Sequence, residues 1–295
     1  MRRLARLCLA GASLLVASAA SGQAAPAPAE ESEIVVTGRD MEQQVREFVG
    51  ALTQAPPRSQ LSRFERPACP AAFGLAPGDK QAVTSRMRKV AKAAGVDVGG
   101  AGCIPNVLVL VTEDKRVFLE ALERRYPNFF GDLPRSEMRR IMREPGPAAA
   151  WQLQGPPLDS DGVELPDEDG LRVSRGTRLQ SRVTAPGRPQ FAAAALVVER
   201  KALAGLTTVQ LADYAAMRLF ARTDPSKLPD SAAPTILKVL DAPSDAEVPA
   251  TLTSWDLGFL RGLYSGDNTL FAASRRTEMR QAIEKEVKPT EKGRD

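Results

Sequence analysis

The chain contains no histidine, so its reactive groups are carboxylates, cysteines, hydroxyls and amines. Without an imidazole, Ser–His–Asp and Cys–His catalysis are out of reach. So is histidine-ligated zinc, including the His-Glu-x-x-His helix. Carboxylate chemistry, Ser–Lys chemistry and oxygen-ligated calcium or magnesium remain. Asp213 and Asp256 lie in helical patterns of the last third. Brought together in one cleft, they would form the carboxylate pair that glycosidic acid–base chemistry requires. Asp256 also has a structural reading: Thr253-Ser254-Trp255-Asp256 has the spacing of a capping box, with Asp in place of the usual Glu.

The acid-rich stretch that holds Asp159, Asp161, Asp167 and Asp169 is the best calcium candidate, since calcium takes clustered carboxylates on a loop. Asp159 begins no EF-hand series, and the plainer reading is a solvated loop. No Ser-x-x-Lys stands in a strand-to-helix context. Gly99-Gly100-Ala101-Gly102 precedes a strand pattern and ends at Cys103. A phosphate-binding loop would follow a strand and end in Gly-Lys-Ser/Thr. No cofactor and no metal are expected.

Residues 1–24 have the pattern of a secretory signal peptide. Arg2, Arg3 and Arg6 precede an apolar run from Leu7 to about Ala20, and small residues lead to Ala24. The run is too short to span a bilayer, and no other stretch is long enough to do so. Export to the periplasm or beyond is therefore expected. Loss of this leader removes three of the four net positive charges, and with them the support for a nucleic-acid partner. It also removes Cys8 and leaves Cys69 and Cys103, which an oxidising compartment permits to pair.

The elements that must position these groups follow from periodicity. Residues 25–33 are polar and Pro-rich, and residues 25–58 read as an arm with one helix. Met41, Val45, Phe48, Val49 and Leu52 recur at helical spacing, with Asp40 as a cap. An α+β domain is expected over 59–288, with 289–295 as a frayed tail. Val83, Met87, Val90, Ala91 and Ala94 mark a helix capped by Asp79, and Ile104–Val111 has the dense β-branched character of a buried strand. Val117, Leu119, Leu122 and Tyr126 mark the next helix, and a further one spans about 135–143. Residues 145–170 read as a long excursion. Two segments, 171–184 and 190–199, suggest a hairpin around Ala185-Pro186-Gly187. Helices over 208–222, 233–240, from Thr253, and over 270–287 complete the chain.

Two helices are basic, one with Arg86, Arg88, Lys89 and Lys92, the other with Arg135, Arg139, Arg140 and Arg143. They read as solvated faces, with peripheral contact to anionic surfaces as the alternative.

Glu33-Ile34-Val35-Val36-Thr37-Gly38 resembles the TonB box of outer-membrane TonB-dependent receptors. The resemblance implies that Ile34, Val35, Val36, Thr37 and Gly38 pair with an envelope protein as an added strand. The rest of the chain lacks the alternating strands of a large barrel, which excludes a receptor. A second resemblance joins residues 104–126 with Leu211–Met217, Pro234–Leu237, Leu252–Asp256 and Leu260–Tyr264. These segments resemble small secreted domains of zincin-like (metzincin-like) outline among exported Gram-negative proteins. Such domains carry their zinc residues on a helix like 208–222. Here that helix offers Leu, Tyr and Ala, with Asp213 its only acid. The resemblance thus implies an order of elements, without zinc or peptidase activity.

The expectation is a single α+β domain with a small sheet and a helix-rich C-terminal third. Its expected role is that of an exported, non-catalytic binding module of the envelope. The alternative is a carboxylate-based hydrolase or a diverged zincin-like homologue.

Overall fold

Val107–Thr112 reads Val-Leu-Val-Leu-Val-Thr, apolar on both faces, which suits a strand covered from two sides. A computed structural model of the chain describes residues 38–287, apart from 54, 132, 166, 169–170, 173–175, 178–180, 186, 229–232, 244–245 and 267. The four-stranded sheet within it contains β1 (Pro70–Phe73), β2 (Val107–Thr112), β3 (Ala148–Gln154) and β8 (Phe191–Glu199). Its order is β1-β2-β8-β3. β1, β2 and β8 run parallel, and β3 is the antiparallel edge. Two small ladders pair β4 (Leu158–Asp159) with β7 (Gly187–Arg188), and β5 (Asp167–Glu168) with β6 (Leu171–Arg172).

The helices are α1 (Gly38–Leu52), α2 (Pro77–Ala94), α3 (Lys115–Arg125), α4 (Arg135–Met142), α5 (Thr208–Leu219), α6 (Ser254–Tyr264) and α7 (Ala272–Val287). They cover the sheet on both faces. Val107 and Val109 of β2, with Ala194, Leu196 and Val198 of β8, face a large core shared with α1, α2, α5, α6 and α7. Ala195, Val197 and Trp151 face a smaller core with Leu119 of α3, Ile141 of α4, and Phe130 of the 3-10 turn between those helices. This alternation follows the period-two geometry of a strand. The result is an α+β domain with a small mixed sheet and a helix-rich C-terminal region.

Several local expectations hold. Thr253 and Asp256 form a reciprocal capping box at the start of α6. α2 stops at Gly95, whose φ of 84° is the left-handed conformation that glycine adopts without penalty. Cys69 and Cys103 form a disulfide, which ties the entrance of β1 to the loop before β2. Met41, Val45, Phe48, Val49 and Leu52 do form one face of α1, and that face packs into the large core.

Other local expectations do not hold. The segment 190–199 makes no hairpin with the described residues of 171–184. It becomes β8, the strand between β2 and β3. β3 itself falls within the expected excursion 145–170. Its sequence, Ala-Ala-Ala-Trp-Gln-Leu-Gln, has little strand propensity of its own, so pairing with β8 decides its state. Residues 233–240 hold only a short 3-10 turn, Ile236–Lys238, in place of a helix. α2 begins after Ala76, with Pro77 in its first turn, and Asp79 is not its cap. Asp40 lies inside the first turn of α1. Among the described residues, no helix is long and apolar enough to cross a membrane.

Candidate functional site: a polar cleft at the free edge of the sheet

α5 is buried on every side from Gln210 to Leu219, so its two charged residues, Asp213 and Arg218, enter the core. A buried charge is tolerated only when it is paired and hydrogen-bonded. Asp213 meets the Arg86 guanidinium in a bidentate pair, with Nε–Oδ1 at 2.7 Å and Nη2–Oδ2 at 2.8 Å. It also accepts from Thr251 Oγ1 at 2.8 Å and from the Leu252 amide at 2.6 Å.

Arg218, one turn further on, pairs with Glu144 and donates to the Tyr214 hydroxyl at 2.8 Å. Burial pushes the Tyr214 phenol above its ordinary value. Glu144 follows the end of α4, and its second carboxylate oxygen accepts from the Ala150 amide at 3.2 Å. That amide belongs to the sheet's edge strand β3. Lys115, at the start of α3, holds the same corner from below. Its ammonium donates to the carbonyls of Glu144 at 2.5 Å, Gly146 at 2.7 Å and Ala148 at 3.2 Å. Desolvation lowers the Lys115 pKa against the pull of Glu144 and Glu199. Gln152 of β3 donates to the carbonyls of Arg218 and Ala221 at 2.7 and 3.2 Å, and so closes the end of α5.

Glu144 and Arg218 stand between two lobes of one cleft. The first has a volume of about 460 Å³ and is lined by the end of α1, by Ser136, Glu137 and Arg140 of α4, and by Arg222, Thr223 and Asp224 beyond α5. The second, of about 300 Å³, is lined by the 145–148 turn, Tyr214, Asp241 and the 224–228 turn. Glu144, Arg218 and Asp224 line both. In the first lobe Glu137 receives both Arg140 and Arg222. In the second, partial desolvation raises the Asp241 carboxyl above the usual range, while Arg218 and Lys115 pull it down. The Asp241 side chain still reaches solvent, which limits this desolvation.

The carboxylates singled out from sequence have other settings. Asp256 accepts from Thr235 Oγ1 at 2.6 Å, the Ile236 amide at 2.9 Å, and the Thr253 amide and hydroxyl at 3.1 and 2.8 Å. Among the described residues, Asp213 and Asp256 share no hydrogen-bond partner, and neither lines the cleft. Asp159 accepts from the amides of Asp161 and Val163, both at 2.9 Å. Asp161 accepts from the Thr177 amide and hydroxyl, both at 2.8 Å, and these bonds lower its pKa. Asp167 lies in β5, opposite Arg172. Asp169 and residues 34–37 fall outside the described residues, and Gly38 is the first residue of α1. Among the described residues, no group of three acids, histidines or cysteines comes together to hold a metal.

The two basic helices divide. Arg86 binds Asp213, and Arg88 donates to the Gly99 carbonyl at 2.6 Å and to Cys103 Sγ at 3.2 Å. Lys89, Lys92, Arg135, Arg139 and Arg143 are exposed. The cleft pair of Arg218 and Glu144 escaped the sequence reading. One sign was available: Arg218 falls on the same helical stripe as Leu211, Tyr214 and Leu219, where a charge needs a partner. No family model, no curated protein and no solved structure matches this chain.

Proposed function

We propose that this chain is an exported binding module of the cell envelope that holds its partner without acting on it. One observation carries the reading. The cleft at the edge of β3 is open and polar, yet its three guanidiniums are already paired, Arg140 and Arg222 with Glu137 and Arg218 with Glu144. Paired, charge-balanced side chains hold a fixed geometry and suit recognition. A general base or nucleophile needs a carboxylate poised to take a proton or attack. The leader pattern of residues 1–24 and the Cys69–Cys103 disulfide support an oxidising compartment. Strand addition through residues 33–38 belongs to the same proposal as a second contact, and the zincin-like outline adds an order of elements to it.

Capture of envelope proteins by the mature chain, with and without residues 25–37, tests this reading. Selective capture by the longer form supports the arm. Equal capture by both forms removes the arm's role, and no capture by either removes the module.

A carboxylate-based hydrolase is the second reading, favoured by Glu144 and Asp241 in one lobe of about 300 Å³, the latter with its pKa raised by partial desolvation. Turnover of chromogenic glycosides or esters that disappears in both Glu144→Gln and Asp241→Asn would establish it.

A further inference from the structure

We propose that the cleft at the free edge of β3 binds a neutral polyhydroxyl ligand, a saccharide unit, through its interleaved guanidinium and carboxylate groups. This rests on the binding-module reading and names the ligand class for it. Around the first lobe, Arg140 and Arg222 converge on Glu137, Arg218 pairs with Glu144, and Asp224 contributes a third carboxylate. Three positive and three negative groups therefore line one cavity. An anion entering it meets as many carboxylates as guanidiniums, and a cation fares no better. A hydroxyl donates and accepts at once, so it bridges such a pair without an uncompensated charge. Its bonds are charge-assisted on both sides and stronger than those between neutral groups.

Arg218 supplies an independent sign. Its side chain is 3% exposed, and its Nε–H has no acceptor among the described residues. A buried donor left unmatched is costly, and because the Nε is sealed from solvent, a ligand oxygen offsets that cost only where the Arg218 side chain shifts towards the cavity. The volume of about 460 Å³ lies in the range of small-molecule sites. Ser136 and Thr223 add hydroxyls to the same wall.

The test is ligand-observed NMR and calorimetry on the full mature chain. The neutral probes are methyl glucoside, N-acetylglucosamine, maltose and diacetylchitobiose. Inorganic phosphate and glycine serve as the anionic and zwitterionic probes. At least one neutral sugar binds at concentrations of about 10 mM or below, and its affinity changes little with salt. Arg140→Ala and Arg222→Ala each weaken that binding about tenfold, a loss of about 1.4 kcal/mol. These two side chains are 60% and 50% exposed, so melting curves of the variants confirm that the fold is kept. Binding of phosphate or glycine with the same dependence on Arg140 and Arg222 overturns the proposal. So does the absence of binding by all four sugars. Capture of envelope proteins that persists without sugar binding sinks the ligand class alone, whereas loss of both sinks the module reading too.

Discussion

Asp256 accepts from four donors, Thr235 Oγ1, the Ile236 amide, and the Thr253 amide and hydroxyl, and so joins the start of α6 to the 235–238 turn. Replacement by alanine leaves buried donors unmatched and removes half of a capping box. Asp256→Ala therefore lowers stability by about 2–4 kcal/mol, read from the urea midpoint. Asp213→Ala strands the Arg86 guanidinium, but Arg86 is 31% exposed and water reaches it. The expected loss is nearer 2–3 kcal/mol, below that of a fully buried pair. The buried tyrosines give a prediction in pH. Tyr264 donates to the Phe220 carbonyl at 2.7 Å and accepts from the Phe64 amide at 3.1 Å. Burial raises the phenol pKa of both Tyr214 and Tyr264. Above about pH 10 the unfolded chain releases these protons while the native state keeps them. The native state then binds more protons, so their contribution is complete below that pH and falls as pH rises further. Urea midpoints taken from pH 9 to pH 11 should decline, and less steeply in Tyr214→Phe than in the parent.

At the scale of elements, α6 and α7 approach so closely that only glycine fits between them. A Cβ on Gly262 would stand 2.3 Å from the Met279 Cα, and one on Gly258 would stand 2.6 Å from the Ile283 Cα. Both obstacles are backbone, so the helices themselves must separate. Gly262→Ala is expected to cost about 3 kcal/mol or more. Gly50 of α1 has nothing within 4 Å of such a Cβ. Gly50→Ala should therefore stabilise by up to about 1 kcal/mol, through helix propensity alone. Thermal melts of the two variants should shift in opposite directions. Helix ends show a second regularity. Arg63 and Arg275 dock on carbonyls at the end of α6, Arg276 on those after α1, and Arg261 on Ala93 near the end of α2. Cations placed there satisfy orphan carbonyls and oppose the negative end of each helix. These four arginines are thus structural, which removes them from the charges open to an anionic partner.

Across the whole molecule, the disulfide spans 34 residues and encloses α2 together with β1. Its removal in a Cys69→Ser, Cys103→Ser double variant should cost about 3–4 kcal/mol by loop entropy. A reductant should lower the urea midpoint of the parent by a similar amount and leave the variant unchanged. Those two cysteines, the α2–β2–α3 succession and the Thr253 capping box were legible in the sequence. Each rests on residues close in the chain or on a strong period, and such signals survive in any fold that uses them. β3 was not legible, because three alanines and two glutamines read as strand only once β8 lies beside them. The cleft was not legible either, since Glu144 and Arg218 are 74 residues apart, nor was the buried pair of Arg86 and Asp213, 127 apart. The sequence by itself determined which segments could be helices, which run could be a buried strand, and which chemistry the missing histidine forbids. Tertiary structure alone decided which strand forms the edge, which charges are neutralised inside, and where a polar cleft stays open. The reason is physical: periodicity and caps are short-range, whereas a buried charge is tolerable only beside a partner that long-range packing delivers.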